Sequence, residues 1–145
     1  LLFTIASHLG KVIFDVVFCY GGEVVYYSGD IAKIKDDLAL VQPTIFAAYQ
    51  DYFQDFMSFT IEVQIGLGIT KLALDYALNS KLTTVKTTGK FTHQVYDRVF
   101  FHKTKQVLGG RCRLMLSGGA PLLPEVHNFM KVTMCCPLIE GYGQT

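Results

Sequence analysis

The run Thr44-Ile45-Phe46-Ala47-Ala48 constrains the fold more than any other stretch. It is short, continuous and apolar after its first residue, with no alternation of polar side chains. A strand with one wet face alternates apolar and polar residues; a strand covered on both faces does not. Pro43 stands directly before it and ends the preceding segment. Strands covered on both faces belong chiefly to parallel sheets packed between helices.

The rest of the chain repeats short apolar runs between stretches of helical periodicity. Leu1 to Ile5 predicts a strand. His8 to Tyr20 fits either state: its β-branched residues favour a strand, its length a buried helix closed by Gly21-Gly22. Glu23 to Tyr27 predicts a short strand. Asp30 suits an N-cap, and Ile31, Ile34, Leu38 and Val41 recur at helical spacing behind it. Residues 51–78 are helical in places, whereas 79–90, rich in Thr, Lys and Ser, predict an exposed loop. Phe91, Val95 and Val99, with Tyr96 and Phe100 beside them, predict an amphipathic helix closed by Gly109-Gly110. A strand at 111–116, a tight turn at Ser117 to Pro121, a helix opened by Pro124 and a strand at 137–140 complete the order. The alternation predicts one α/β domain with a mostly parallel sheet flanked by helices.

Composition narrows the function classes. Half of the 145 residues are hydrophobic, 17% are charged and the net charge is +1. The basic residues are scattered, so no nucleic-acid or anionic-membrane footprint is predicted. No run of about 18 apolar residues is present, as a membrane-spanning helix would need. Cys19, Cys112, Cys135 and Cys136 show no C-x-x-C spacing and are expected as buried free thiols. No two histidines are four residues apart, so no metal site is predicted; His93, His102 and His127 are expected on helix faces or the surface.

Ligands of open parallel sheets bind outside the carboxyl ends of the strands. Two loops occupy such positions. Ser117-Gly118-Gly119-Ala120-Pro121 carries glycines that let backbone approach a flat ligand closely. Gly141-Tyr142-Gly143-Gln144-Thr145 presents a tyrosine between two glycines and ends on a hydroxyl able to bond a phosphate oxygen. Taken singly, the first loop fits a plain strand-to-helix turn better than a ligand site, and the second fits a turn with an exposed tyrosine equally well. Their pairing on consecutive strand ends is far more specific.

The pair, Ser117-Gly118-Gly119-Ala120-Pro121-Leu122 and Glu140-Gly141-Tyr142-Gly143-Gln144-Thr145, resembles two signature stretches of the adenylate-forming superfamily. That group holds acyl-CoA synthetases, luciferases and peptide-synthetase adenylation domains. Gly29-Asp30-Ile31, Asp36-Asp37-Leu38, Gln42 to Phe46, Phe101-His102-Lys103, Leu108 to Arg111 and Arg113-Leu114-Met115 resemble its long-chain fatty acyl-CoA synthetase branch. The resemblance covers most of the chain and is weakest over residues 51–90. It implies part of the large N-terminal AMP-binding domain of a ligase that uses ATP, Mg²⁺ and CoA to convert a fatty acid to acyl-CoA through an acyl-adenylate. It implies that Gly118, Gly119, Ala120 and Pro121 line an adenine pocket completed by Glu140, Gly141, Tyr142 and Gly143. Thr145 would reach the α-phosphate, and His8 would sit near the substrate carboxylate.

Other implied parts lie outside these 145 residues: the phosphate loop, the ribose-binding Asp and the small C-terminal domain with its adenylation Lys. The chain alone is therefore expected to be inactive, with a non-catalytic nucleotide- or acyl-binding module as the alternative. The resemblance also implies a cytoplasmic location, at the cytosolic face of a membrane such as the endoplasmic reticulum, with any peripheral membrane attachment through other regions. One stretch departs from the pattern. After Phe46 the family carries Val-Pro-Arg, whereas here Ala47-Ala48-Tyr49-Gln50-Asp51 follows, without the proline and arginine and with an acid added.

Overall fold

The computed structural model describes residues 2–3, 8–26, 28–30, 33–66 and 68–142, with only the backbone of 2, 3, 8, 9 and 35. Five parallel strands form one sheet in the order β2-β1-β3-β4-β5. They are β1 (Leu2–Phe3), β2 (Val25–Tyr26), β3 (Ile45–Tyr49), β4 (Leu114–Gly118) and β5 (Leu138–Glu140). The helices are α1 (His8–Cys19), α2 (Ile34–Val41), α3 (Gln50–Gly66), α4 (Lys71–Thr88), α5 (Gln94–Tyr96), α6 (His102–Val107) and α7 (Pro124–Met134). A π-helical turn, Asp97–Phe101, joins α5 to α6. The α/β class and parallel sheet expected from the alternation are present.

The apolar run at β3 is the central strand. Its register with β4 runs from Ile45↔Leu114 to Tyr49↔Gly118. Phe46 and Ala48 point into the main core with Phe53 and Phe56 of α3 and Phe129 and Met130 of α7. Ala47 points the other way, toward Ile13 of α1, Val24 and Leu116. Helices thus cover both faces, which is why the run has no polar alternation. His8 to Tyr20 resolves as helix, closed by Gly21 at φ +68°.

Two stretches correct the sequence expectations. Residues 79–88, expected as loop, continue α4. Thr70 caps the helix by accepting from Ala73 N–H, and Gly89 (φ +70°) ends it. Its buried stripe is Leu74, Ala77, Lys81 and Val85, with a lysine where an apolar residue would have revealed the period. Thr83, Thr84, Thr87 and Thr88 each donate to the carbonyl four residues back, so hydroxyls that favour turns elsewhere bond along the helix here.

The second correction is the 91–100 face. Val95 and Val99 are exposed, and Phe101, Thr104 and Leu108 are buried instead. The π turn rotates the register, and Gln64 of α3 inserts its amide there, donating to Phe100 O (2.7 Å) and Thr104 Oγ1 (2.6 Å). Smaller shifts are a start of α2 at Ile34 with Lys33 at its N-cap position, and a β4 that begins at Leu114. Of the thiols, Cys112 and Cys136 are buried, Cys135 is half-buried and Cys19 is exposed.

Candidate functional site

β3, β4 and β5 lie side by side and end at Tyr49, Gly118 and Glu140. Because the strands are parallel, the three chain exits share one edge of the sheet, where ligands of such sheets bind. Gly119 turns immediately after β4 with φ +101°, and a Cβ there would lie 2.9 Å from Tyr49 Cδ1. Both the dihedral and the packing against the Tyr49 ring therefore require glycine.

Hydrogen bonds fasten the two loops to each other and to the sheet. Gly141 N–H donates to Ser117 O at 2.7 Å. Glu140 Oε2 accepts from Leu122 N–H at 3.0 Å, so the carboxylate at the end of β5 ties down the loop after β4. His127 Nε2 lies 3.1 Å from Leu138 O and 3.8 Å from Glu140 Oε1, which buttresses the carboxylate from α7. Gln50, the first residue of α3, reaches across from the end of β3. With its amide oriented to satisfy its neighbours, its NH₂ donates to Pro121 O (2.9 Å) and Ala120 O (3.2 Å).

The result is a cleft of about 190 Å³ lined by Gly119, Ala120, Pro121, Glu140, Gly141 and Tyr142. Tyr142 is 86% exposed and stands at its edge. The cleft is smaller than the roughly 300 Å³ at which pockets for whole drug-sized ligands begin, so it suits one flat ring. Its one charged lining residue among those described, Glu140, is occupied by Leu122 N–H and faced by His127. No cationic side chain among the described residues lines it. Among the described residues no group of three His, Cys, Asp or Glu side chains could hold a metal.

Six of the predicted site residues thus come together. Gly118 does not line the cleft; it is buried in β4 opposite Tyr49. His8 opens α1, but its side chain lies outside the described residues, as do Gly143 and Thr145 altogether. Sequence reasoning missed Tyr49, Gln50 and His127. Tyr49 and Gln50 follow the apolar run at a strand end, but only the strand order shows that this end neighbours the Gly119 turn.

A family model described as AMP-binding enzyme matches residues 3–145. The chain is 33% identical over 141 residues to long-chain-fatty-acid–CoA ligase 6 of Mus musculus, covering 97% of this chain and 20% of that protein. It is 34% identical over 141 residues to the peroxisomal long chain acyl-CoA synthetase 7 of Arabidopsis thaliana, covering 96% and 20%. It therefore spans about a fifth of the length of these curated relatives. The fold matches the A-PCP didomain of the carboxylic acid reductase from Segniliparus rugosus, solved in complex with AMP. That match has a TM-score of 0.61 and 19% identity, over 94% of this chain and 16% of that one. With its family model spanning nearly every residue and its two glycine loops gathered at adjoining strand ends, this chain belongs to the AMP-binding enzyme family.

Proposed function

We propose that this chain supplies the adenine-contacting part of an ATP-dependent long-chain fatty acid–CoA ligase. The observation that carries the reading is the single-ring cleft between residues 119–121 and 140–142, open at one side to an exposed tyrosine. Backbone of the Gly119 turn forms one wall, and Tyr142 is free to lie against the ring. Stacking of a base on an aromatic side chain contributes about 1–3 kcal/mol.

The described lining fits the ring; among the described residues it holds no cationic side chain and no metal-ligand cluster for the phosphates or Mg²⁺. In this reading those groups are held elsewhere in a longer AMP-binding domain, by a phosphate loop and a C-terminal domain. Thr145 at the α-phosphate and His8 near the fatty acid carboxylate rest on resemblance alone. The complete ligase would join fatty acid and ATP to give acyl-adenylate and pyrophosphate, and CoA would then displace AMP to give the thioester. The 145 residues alone would form no acyl-CoA, lacking the charge stabilisation that phosphoryl chemistry demands.

AMP titrated into the chain by calorimetry should bind, and Tyr142→Ala should weaken binding at least about fivefold. Acyl-CoA formation from palmitate, ATP, Mg²⁺ and CoA by the longer protein should fall in the same variant. Acyl-CoA production by the isolated chain would overturn the division of labour proposed here. AMP binding with no turnover by the well-folded longer protein would favour a non-catalytic binding module, a reading motivated by the altered stretch Ala47 to Asp51.

A further inference from the structure

The stretch that departs from the family's Val-Pro-Arg pattern contains Gln50, and Gln50 touches the cleft loop. We infer that Gln50 is a positioning residue of this particular chain: its side-chain NH₂ holds the carbonyls of Ala120 and Pro121 and thereby fixes one wall of the cleft. The inference rests on the nucleotide-binding reading for its consequence, though not for the contact itself.

Residues 119–123 lie between β4 and α7; Leu123 O accepts from His127 N–H in the first turn of α7, whereas the carbonyls of Ala120 and Pro121 face the Gln50 amide. The segment is fastened at both ends, by Gly141 N–H on Ser117 O and by Glu140 on Leu122 N–H. Gln50 spans the gap between those anchors, donating at 2.9 Å and 3.2 Å. The two N–H donors of one amide nitrogen meet two successive carbonyls, a pairing that proline, lacking any donor, cannot make. Gln50 is itself held, half-buried, at the junction of β3 and α3. Asp51 beside it is exposed in the first turn of α3, where the helix dipole favours negative charge. Each carbonyl keeps a second lone pair, available to a donor on a bound ring.

The test compares wild type, Gln50→Ala and Gln50→Glu. Glutamate has nearly the same shape; ionised, it only accepts hydrogen bonds, and protonated, it offers one O–H. Two readouts are taken between pH 4.5 and 8: amide hydrogen exchange of residues 119–123, and the Kd for AMP. Both variants should lose exchange protection over 119–123 while the β3–β4 ladder keeps its own. Gln50→Ala should weaken AMP binding about tenfold, the loss of roughly one hydrogen bond. Gln50→Glu should be at least as weak at pH 8 and should recover part of the loss, relative to wild type at the same pH, as its carboxyl protonates. A merely structural residue would show no such recovery. Unchanged exchange over 119–123 in both variants would overturn the assignment. So would unchanged AMP affinity in variants whose loop protection is lost. If wild type itself binds no AMP, the nucleotide reading fails, and hydrogen exchange still decides whether Gln50 positions the loop.

Discussion

Lys81 gives the sharpest test of how this fold is held together. Its side chain is 1% exposed, yet it carries a charge. It pairs with Asp97 of the π turn, donates to Val132 O at 2.7 Å, lies 3.1 Å from Cys135 Sγ and sits 4.9 Å above the Phe101 ring. One ammonium thus links α4, the π turn and the end of α7. Lys81→Met keeps the length and removes the charge. Removing one partner of a fully buried pair costs about 3–5 kcal/mol. Asp97 is 23% exposed and also accepts from His93 N–H at 2.7 Å, so water and that bond cover part of the loss, leaving about 2 kcal/mol. The stranded Val132 carbonyl adds about 1 kcal/mol. The expected destabilisation is about 3 kcal/mol, a fall in Tm of roughly 6–12 °C for a chain of this size. Urea and thermal denaturation of Lys81→Met and of Lys81→Met/Asp97→Asn would measure it. The double variant removes the uncompensated carboxylate and should be the more stable of the two. A single variant as stable as wild type, or a double variant no better than the single, would refute the reasoning.

Three further predictions follow the same logic. Gly109 and Gly89 both have positive φ, but a Cβ at Gly109 would lie 2.5 Å from Gln42 Cα, whereas at Gly89 it meets open space. Gly89→Ala should therefore cost about 1–2 kcal/mol of backbone strain, and Gly109→Ala clearly more, when both are measured by denaturant titration. Asp37 accepts a hydrogen bond from Ser28 N–H at 2.9 Å, which holds its carboxyl below the ordinary 3.8. The folded value lies below the unfolded one, so this stabilisation is fully present above the ordinary value and is lost as pH falls through the folded value. The Tm difference between wild type and Asp37→Asn should accordingly shrink on acidification below about pH 4, and a difference constant with pH would count against the bond. Among the thiols, exposed Cys19 should react first with a disulfide reagent in the native protein. Cys136 should react last, because its contact with the Cys112 thiol and its burial raise its pKa; equal rates in the native state would contradict this packing.

The parallel sheet was legible because β3 lacks polar alternation, and that property is local to five residues. The turn at Gly119 and the helix start at Pro124 were legible for the same reason, since dihedral demands act on single residues. α4 was not legible beyond Leu78. Its buried stripe includes Lys81, whose burial makes sense only once Asp97 and the Val132 carbonyl face it from other elements. The buried face of the helix expected from Phe91 to Gly109-Gly110 was misjudged at Val95 and Val99 because Gln64, distant along the chain, inserts into a π turn and rotates the register.

The sequence alone determined the layering of the domain and the two glycine loops that mark its family, because short-range periodicity and backbone freedom are written into neighbouring residues. Tertiary structure decided which strand ends adjoin and therefore that Gln50 and Tyr49 meet the Gly119 turn. It also decided that Glu140 and His127 brace the same cleft. Those contacts depend on strand order, which hydrogen bonding between distant segments sets and no local pattern records.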